Sequence, residues 1–328
     1  MYSAKKERYN YMKYNRFGNS GLKVSEVSLG LWHNFGTSDN FEKMQEMVFT
    51  AFDNGITMFD LANNYGPIPG SAETNFGKII KDDLKSYRDE ILISSKAGYP
   101  MWEGPYGDFG SRKYLISSLD QSLKRMGIDY VDIFYSHRMD KETPLEETMQ
   151  ALDMAVKSGK ALYAGISNYD SETTNKASDI LNDLKCPFIV NQVRYSMFDR
   201  HIEKDNLFET ASKRGKGLII FSPLEQGLLT DRYILGIPKD SRMTKSQFLP
   251  KSVLTKELKD KIISLNNIAK DRNQTLAEMA LSWVLIKKEV SSVIIGASSK
   301  EQILDNLKIN KVFTQLELKE IDKICLTV

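Results

Sequence analysis

Cysteine and histidine are both scarce in this sequence. Two cysteines, Cys186 and Cys325, occur in 328 residues with no CxxC pairing. That usage excludes a disulfide framework and fits a reducing compartment, where both read as ordinary buried thiols. The sequon Asn273-Gln274-Thr275 would matter only in a secreted protein. The three histidines, His33, His137 and His201, show neither HxH nor HExxH spacing, so no metal site is expected. There is no GxGxxG and no P-loop, which removes the Rossmann and nucleoside-triphosphate readings. No apolar run approaches the roughly 20 residues of a membrane helix. The stretch from Met1 to Arg16 is charged and tyrosine-rich, without the apolar core of a signal peptide. Net charge is only +2, from 45 basic and 43 acidic side chains, so nothing electrostatic favours nucleic acid or an anionic membrane as partner. These absences point to a cytoplasmic protein.

What is present is alternation. Apolar, β-branched runs occur at Val27–Leu29, Ile56–Phe59, Ile91–Ser95, Val131–Tyr135, Ala161–Ile166, Phe188–Gln192, Gly217–Phe221 and Ser292–Gly296. Between them lie stretches with apolar residues at i, i+3 and i+4, as in Phe41–Asn54, Tyr114–Met126, Leu145–Ser158, Glu172–Leu184 and Thr275–Lys287. Strands apolar throughout and alternating with helices imply a parallel sheet covered on both faces. Eight such units imply closure, so the expected fold is α/β, a (β/α)8 TIM barrel, as a single domain over residues 1–328. An open doubly wound sheet is the alternative. Tyr14–Phe17 and Leu22–Val24, joined by Gly18-Asn19-Ser20-Gly21, read as an N-terminal β-hairpin. Asp231–Val253 reads as a long loop over the active face, and Lys256–Arg272 as a further helix.

Barrel active sites sit at the carboxyl ends of the strands. Strand two ends at Asp60, with Tyr65 shortly after; strand three ends at Lys96 and strand four at His137. Singly, each has an ordinary explanation: a turn residue, a packing aromatic, a solvated lysine, a histidine bonded to backbone. Their placement on neighbouring strand ends argues for shared chemistry. A phenol with pKa near 10 is a poor acid at neutral pH, and an ammonium nearby is expected to lower that value. Asp60 can hold Lys96, Lys96 can activate Tyr65 as general acid, and His137 can donate to a carbonyl oxygen. Hydride attack on that carbonyl needs a bound hydride source, which side chains cannot supply.

These residues carry a resemblance. Asp60-x-Ala62-x-x-Tyr65-Gly66, then Ser71-Ala72-Glu73 and Gly77, with Lys96 and His137, resemble the aldo-keto reductase family from about Met12 to Ile324. Gly30-Leu31-Trp32-His33-Asn34-Phe35-Gly36, Lys96-Ala97-Gly98-Tyr99-Pro100-Met101-Trp102 and the Val131–Arg138 segment resemble its branch of bacterial L-glyceraldehyde 3-phosphate (methylglyoxal) reductases, itself similar to the voltage-gated potassium channel β-subunits. The resemblance implies Asp60, Tyr65, Lys96 and His137 as catalytic tetrad and NADPH as cofactor. It assigns the nicotinamide end of the site to Gly30, Trp32, Asp60, Ser167, Asn168, Gln192 and Phe221. It assigns the pyrophosphate to Ser222, Pro223, Leu224, Gln226 and Gly227, with Arg232 nearby. It assigns the adenosine phosphate and adenine to Arg242, Gly296, Ser298, Gln302, Asp305 and Asn306. Substrate would meet Trp32, Tyr65, Trp102 and His137, and a substrate phosphate would need Arg138, Arg112 or Lys113.

Relatives usually carry Ala where Glu225 stands and Gly-Lys where Asp231-Arg232 stands. An acid at 225 would repel a pyrophosphate unless its side chain turns away. Two functions follow from the resemblance: NADPH-dependent reduction of short-chain aldehydes such as L-glyceraldehyde 3-phosphate and methylglyoxal, or service as an NADPH-binding partner protein like the channel β-subunits. Relatives in that branch form homo-oligomers, and no pattern in this sequence marks an interface.

Overall fold

The structure, a computed structural model, describes residues 2–234, 236–238, 242–245 and 249–326, without the side chains of Arg242 and Lys245. A two-stranded antiparallel hairpin, β1 (Tyr14–Arg16) and β2 (Lys23–Ser25), precedes the main sheet. That sheet comprises β3 (Val27–Gly30), β4 (Met58–Asp60), β5 (Leu92–Ala97), β6 (Val131–Ser136), β7 (Ala161–Ser167), β8 (Phe188–Arg194), β9 (Gly217–Phe221) and β10 (Val290–Ile295). Each strand pairs in parallel with the next, and β10 pairs with β3, closing an eight-stranded barrel. The helices are α1 (Phe41–Asp53), α2 (Ser71–Ile79), α3 (Arg112–Met126), α4 (Leu145–Lys157), α5 (Ser171–Asp183), α6 (His201–Lys204), α7 (Leu207–Arg214), α8 (Arg242–Lys245), α9 (Lys256–Asp271), α10 (Leu276–Val284), α11 (Lys300–Asp305) and α12 (Gln315–Leu326).

The (β/α)8 barrel and the hairpin match the sequence expectation, with two systematic differences. Several strands run past the apolar segment, to Asp60, Ala97, Ser136, Ser167 and Arg194. Main-chain ladders do not stop where side chains become polar: Lys96 still pairs with Tyr135, and Asp60 with Ser94. The site residues are therefore held in the sheet itself. Helices α2, α6, α7 and α12 were not expected, nor was the short α8 within the Asp231–Val253 segment read as a loop. The first is polar on faces that are nevertheless buried: Glu73 is fully buried and accepts from Arg125 Nε at 2.7 Å and from Ser95 Oγ at 2.6 Å. Gly77 permits the close approach of α2 and α3, since a methyl there would meet Met126 Cα at 2.7 Å. Glu73 and Gly77 of the family signature thus brace the barrel wall beside the site.

Two cores follow from closure. One lies between strands and helices, rich in Leu, Ile, Val and Phe. The other fills the barrel interior and includes Met58, Ile133, Tyr135, Val190, Ile219 and Ile294. Phe17 and Val24 of the hairpin segment belong to this inner core and are fully buried, so the hairpin plugs the barrel from below. It is tied there by Asn15 Nδ2 to Ser291 O (3.0 Å), Ser291 Oγ to Arg16 O (2.9 Å) and Asn19 N to Gly215 O (2.9 Å). With the lower end closed, the polar strand ends are confined to the upper rim. Among the described residues, no helix is long and apolar enough to cross a membrane.

Candidate active site

Lys96 is the centre of the site. Its ammonium is fully buried, 2.7 Å from Asp60 Oδ2, and donates to Leu61 O at 2.6 Å and to Tyr65 Oη at 3.3 Å. Those three acceptors account for its three protons. Asp60 is held in turn: Ser94 Oγ and Gln192 Nε2 donate to Oδ1 at 2.8 and 2.9 Å. An acid–base pair out of water survives only with this degree of satisfaction; removing one partner of such a pair costs about 3–5 kcal/mol. Burial pulls the Lys96 ammonium below its ordinary value, opposed by Asp60 and Glu73.

Tyr65 sits in a turn closed by its amide on Ala62 O (3.1 Å) and by Ala72 N on its carbonyl (3.2 Å). Gly66 follows at φ 99°, and a methyl there would strike Ser71 Oγ at 2.0 Å, so the turn requires glycine. Burial first, then the charge of Asp60, push the Tyr65 phenol well above its ordinary value. This corrects the expectation that Lys96 lowers it. At the phenol, desolvation decides, and the neighbouring Asp60 and Tyr99 act in the same direction. The lysine's contribution is instead a fixed donor 3.3 Å from the phenolic oxygen, ready to stabilise that oxygen when its proton leaves.

His137 follows β6, buried, its ring 5.9 Å from that of Tyr65 in an edge-on arrangement. Burial, then the cations Lys96 and Arg138, hold it well below its ordinary value, so it is neutral at pH 7. Its Nδ1 has no partner among the described residues. The four tetrad residues are therefore contiguous around one spot.

The rim around them is uneven. Trp32 is partly exposed, its ring 6.3 Å from Tyr65. Trp102 packs on Tyr114 at 5.1 Å. Sequence reasoning passed over Tyr99, whose ring meets His137 edge-on at 4.7 Å. Its position depends on a relay that no local pattern encodes: Asn63 Nδ2 donates to Tyr114 Oη (2.9 Å), which donates to Tyr99 O (2.5 Å). Arg138 stacks on Tyr99 and Phe109 at 4.5 and 4.6 Å, donates to Gly98 O and pairs with Asp108 at 2.7 Å. The Arg112 amide donates to Glu147 Oε1 and its guanidinium to Gln150, and Lys113 lies over the Tyr106 ring.

The residues assigned to a nicotinamide cofactor form an arc from β7 to α11. Ser167 and Gln192 are buried on the rim, and Asn168, at φ 60°, donates from Nδ2 to His137 O (3.1 Å) and Ser167 Oγ (3.2 Å). Gly30 and Phe221 are half-buried at the ends of β3 and β9. After Phe221 the backbone takes positive φ at Ser222 (54°), Glu225 (47°), Gln226 (54°) and Gly227 (99°). Three of these are not glycine, and such strain gathers where a loop is shaped around a ligand. Pro223 is buried and Leu224 half-buried in the same loop. Glu225 is turned onto β8 and the segment after it. It is buried against Arg194 Nη2 at 2.5 Å and Ser196 Oγ at 2.6 Å, so its charge is spent there. Arg232 is exposed. Ser298 contacts Gln302 Oε1 through N (2.9 Å) and Oγ (3.2 Å), Gly296 and Asp305 are exposed, and Asn306 is buried. The side chain of Arg242 lies outside the described residues. These residues fit an elongated dinucleotide: amide and hydroxyl groups at the tetrad end, a strained loop in the middle, and a polar helix start at the far end.

A model of the aldo/keto reductase family matches residues 26–325. The chain is 52% identical over 326 residues to the L-glyceraldehyde 3-phosphate reductase of Escherichia coli (strain K12), covering 98% of this chain and 94% of that one. It is 37% identical over 321 residues to a probable voltage-gated potassium channel subunit beta of Arabidopsis thaliana, covering 95% of each. One from Oryza sativa subsp. japonica is 35% identical over 322 residues, again with 95% of each covered. A barrel rim carrying an aspartate-held lysine against a tyrosine, together with a match along nearly the whole chain, places this protein in the aldo/keto reductase family, as a nicotinamide-dependent oxidoreductase.

Proposed function

We propose that the protein reduces short-chain aldehydes with NADPH, Tyr65 acting as general acid, and that L-glyceraldehyde 3-phosphate and methylglyoxal are among its substrates. The observation that carries this reading is the chain from Asp60 to Lys96 to Tyr65, with distances of 2.7 and 3.3 Å. The relatives named as L-glyceraldehyde 3-phosphate reductases support the substrate class.

A nicotinamide cofactor, when bound, would supply a hydride to the carbonyl carbon. The protein does the rest. Neutral His137 donates a hydrogen bond to the carbonyl oxygen and fixes its direction. As the C=O π pair moves onto oxygen, Tyr65 gives up its phenolic proton, and the product is an alcohol. The phenolate left behind is stabilised by the Lys96 ammonium, which Asp60 keeps charged. Ser167, Asn168 and the Gln192 carbonyl would orient the carboxamide. Ser222 and the amides of the Leu224–Gly227 turn would hold the pyrophosphate, and Ser298 and Gln302, with Arg242, would take the 2′-phosphate. Trp32 and Tyr99 wall the aldehyde pocket. The protein works in the cytoplasm as one barrel domain.

The test follows NADPH absorbance with methylglyoxal or L-glyceraldehyde 3-phosphate, beside Tyr65→Phe. Turnover that falls by about 10²–10⁴-fold in the variant is expected of a lost general acid. Tight NADPH binding without turnover on any short aldehyde would favour the partner-protein reading instead. For the cofactor, Arg242→Ala raises the KM for NADPH far more than that for NADH; equal effects would remove Arg242 from the phosphate site.

A further inference from the structure

Tyr135 lies in the barrel interior and takes no part in the tetrad. On β6, its register places it between Lys96 of β5 and Gly165 of β7. The side chain is fully buried, and its hydroxyl has no hydrogen-bond partner among the described residues. The Gln192 amide, whose Nε2 donates to Asp60, lies beside that hydroxyl and acts on it. It is the ring of Tyr135 that reaches the lysine. Lys96 Nζ lies 5.8 Å from the Tyr135 centroid and 4.8 Å from that of Tyr65. Both are within cation–π range, and the attraction grows when the cation is desolvated, as Lys96 is. Gly165 makes the space: a methyl there would meet Tyr135 Cδ1 and Cε1 at 2.5 Å.

We propose that Tyr135 is a positioning residue for the reduction, its ring forming with Tyr65 an aromatic box that keeps Lys96 an ammonium beneath the acid. Other groups facing Lys96 are Asp60 at the end of β4, Glu73 on α2 and His137 after β6. Among the described residues, those that act on Lys96 as anions are Asp60 and Glu73, and Glu73 is paired with Arg125. Burial draws the lysine toward neutrality, so ring support matters on the alkaline side. Without it, Lys96 loses its proton at lower pH, and the Tyr65 phenolate loses its counter-ion.

The inference rests on the reductase reading, and its test is the pH profile of kcat in four proteins. Tyr135→Phe, which keeps the ring, retains the wild-type alkaline limb. Tyr135→Leu (or Tyr135→Met, closer in volume, if the leucine variant does not fold) moves that limb down by about one pH unit, a tenfold loss of kcat above it, with the KM for NADPH within about twofold. Gly165→Ala displaces the same ring with Tyr135 intact and shifts the limb the same way. An unmoved limb in the leucine variant or in Gly165→Ala overturns the proposal. So does a phenylalanine variant that shifts as far as the leucine one, which would assign the role to the hydroxyl. If the wild type reduces no aldehyde, the substrate reading fails separately, and the lysine shift is read from the ¹⁵N resonance of Lys96 Nζ in the same four proteins.

Discussion

A neutral imidazole at position 137 sets a pH dependence that can be measured without substrate. Burial and two neighbouring cations hold His137 well below its ordinary value. Above the unfolded value near pH 6.5, folded and unfolded states are both neutral and the group contributes no slope. As pH falls below that value, the unfolded chain takes up the proton first, so stability is lost on the acid side, by up to about 1.4 kcal/mol per pH unit. The melting temperature of the wild type should therefore fall between about pH 7 and pH 5 by more than that of His137→Gln. Parallel falls would show that His137 titrates as an ordinary surface histidine. At this scale the sequence was informative about identity but not about state. Asp60, Tyr65, Lys96 and His137 were legible because three strand ends deliver them to one rim. The direction of the Tyr65 shift was not, because it depends on how completely the fold removes water from a phenol lying beside Asp60.

The loop after β9 shows an element whose charge pattern misleads when read linearly. Glu225 stands amid residues assigned to a pyrophosphate, yet the backbone turns it onto Arg194 and Ser196. Two readings of Glu225→Ala have opposite signs. If the acid merely repels phosphate, its removal tightens NADPH. If it anchors a loop carrying three non-glycine residues at positive φ, its removal releases the strained shape and weakens NADPH. The second is expected, with the KM for NADPH several-fold higher and kcat at saturation little changed, and Glu225→Gln intermediate. A lowered KM would return Glu225 to the phosphate. Helix α2 gives the same lesson in packing. Its sequence lacks a clear apolar stripe because Glu73 is buried through partners far along the chain, Ser95 and Arg125.

For the molecule as a whole, the hairpin plug decides how the barrel closes. Phe17 is fully buried in the inner core, although the strands flanking it are only three residues each. So small an element cannot be stable alone; it is held by what it buries. Phe17→Ala should destabilise by about 3–5 kcal/mol in denaturant titration, while the folded fraction keeps its kcat, since the plug lies at the opposite end from the tetrad. A loss below about 1 kcal/mol would mean that the plug is incidental to the barrel.

The order of strands and helices, the closed barrel and the tetrad's place on its rim were determined by local pattern. Apolar periodicity selects the elements, a parallel sheet of this many units closes on itself, and closure brings successive strand ends together. Tertiary structure alone decided which way side chains face once there. It turned Glu225 onto Arg194 and Ser196, seated Tyr99 against His137 through Asn63 and Tyr114, and put the ring of Tyr135 beside Lys96 where Gly165 leaves room. Each of these depends on contacts between residues far apart in the chain. Spacing along a sequence places a residue on an element, while the water excluded around it, and so its charge, is set by what packs against that element.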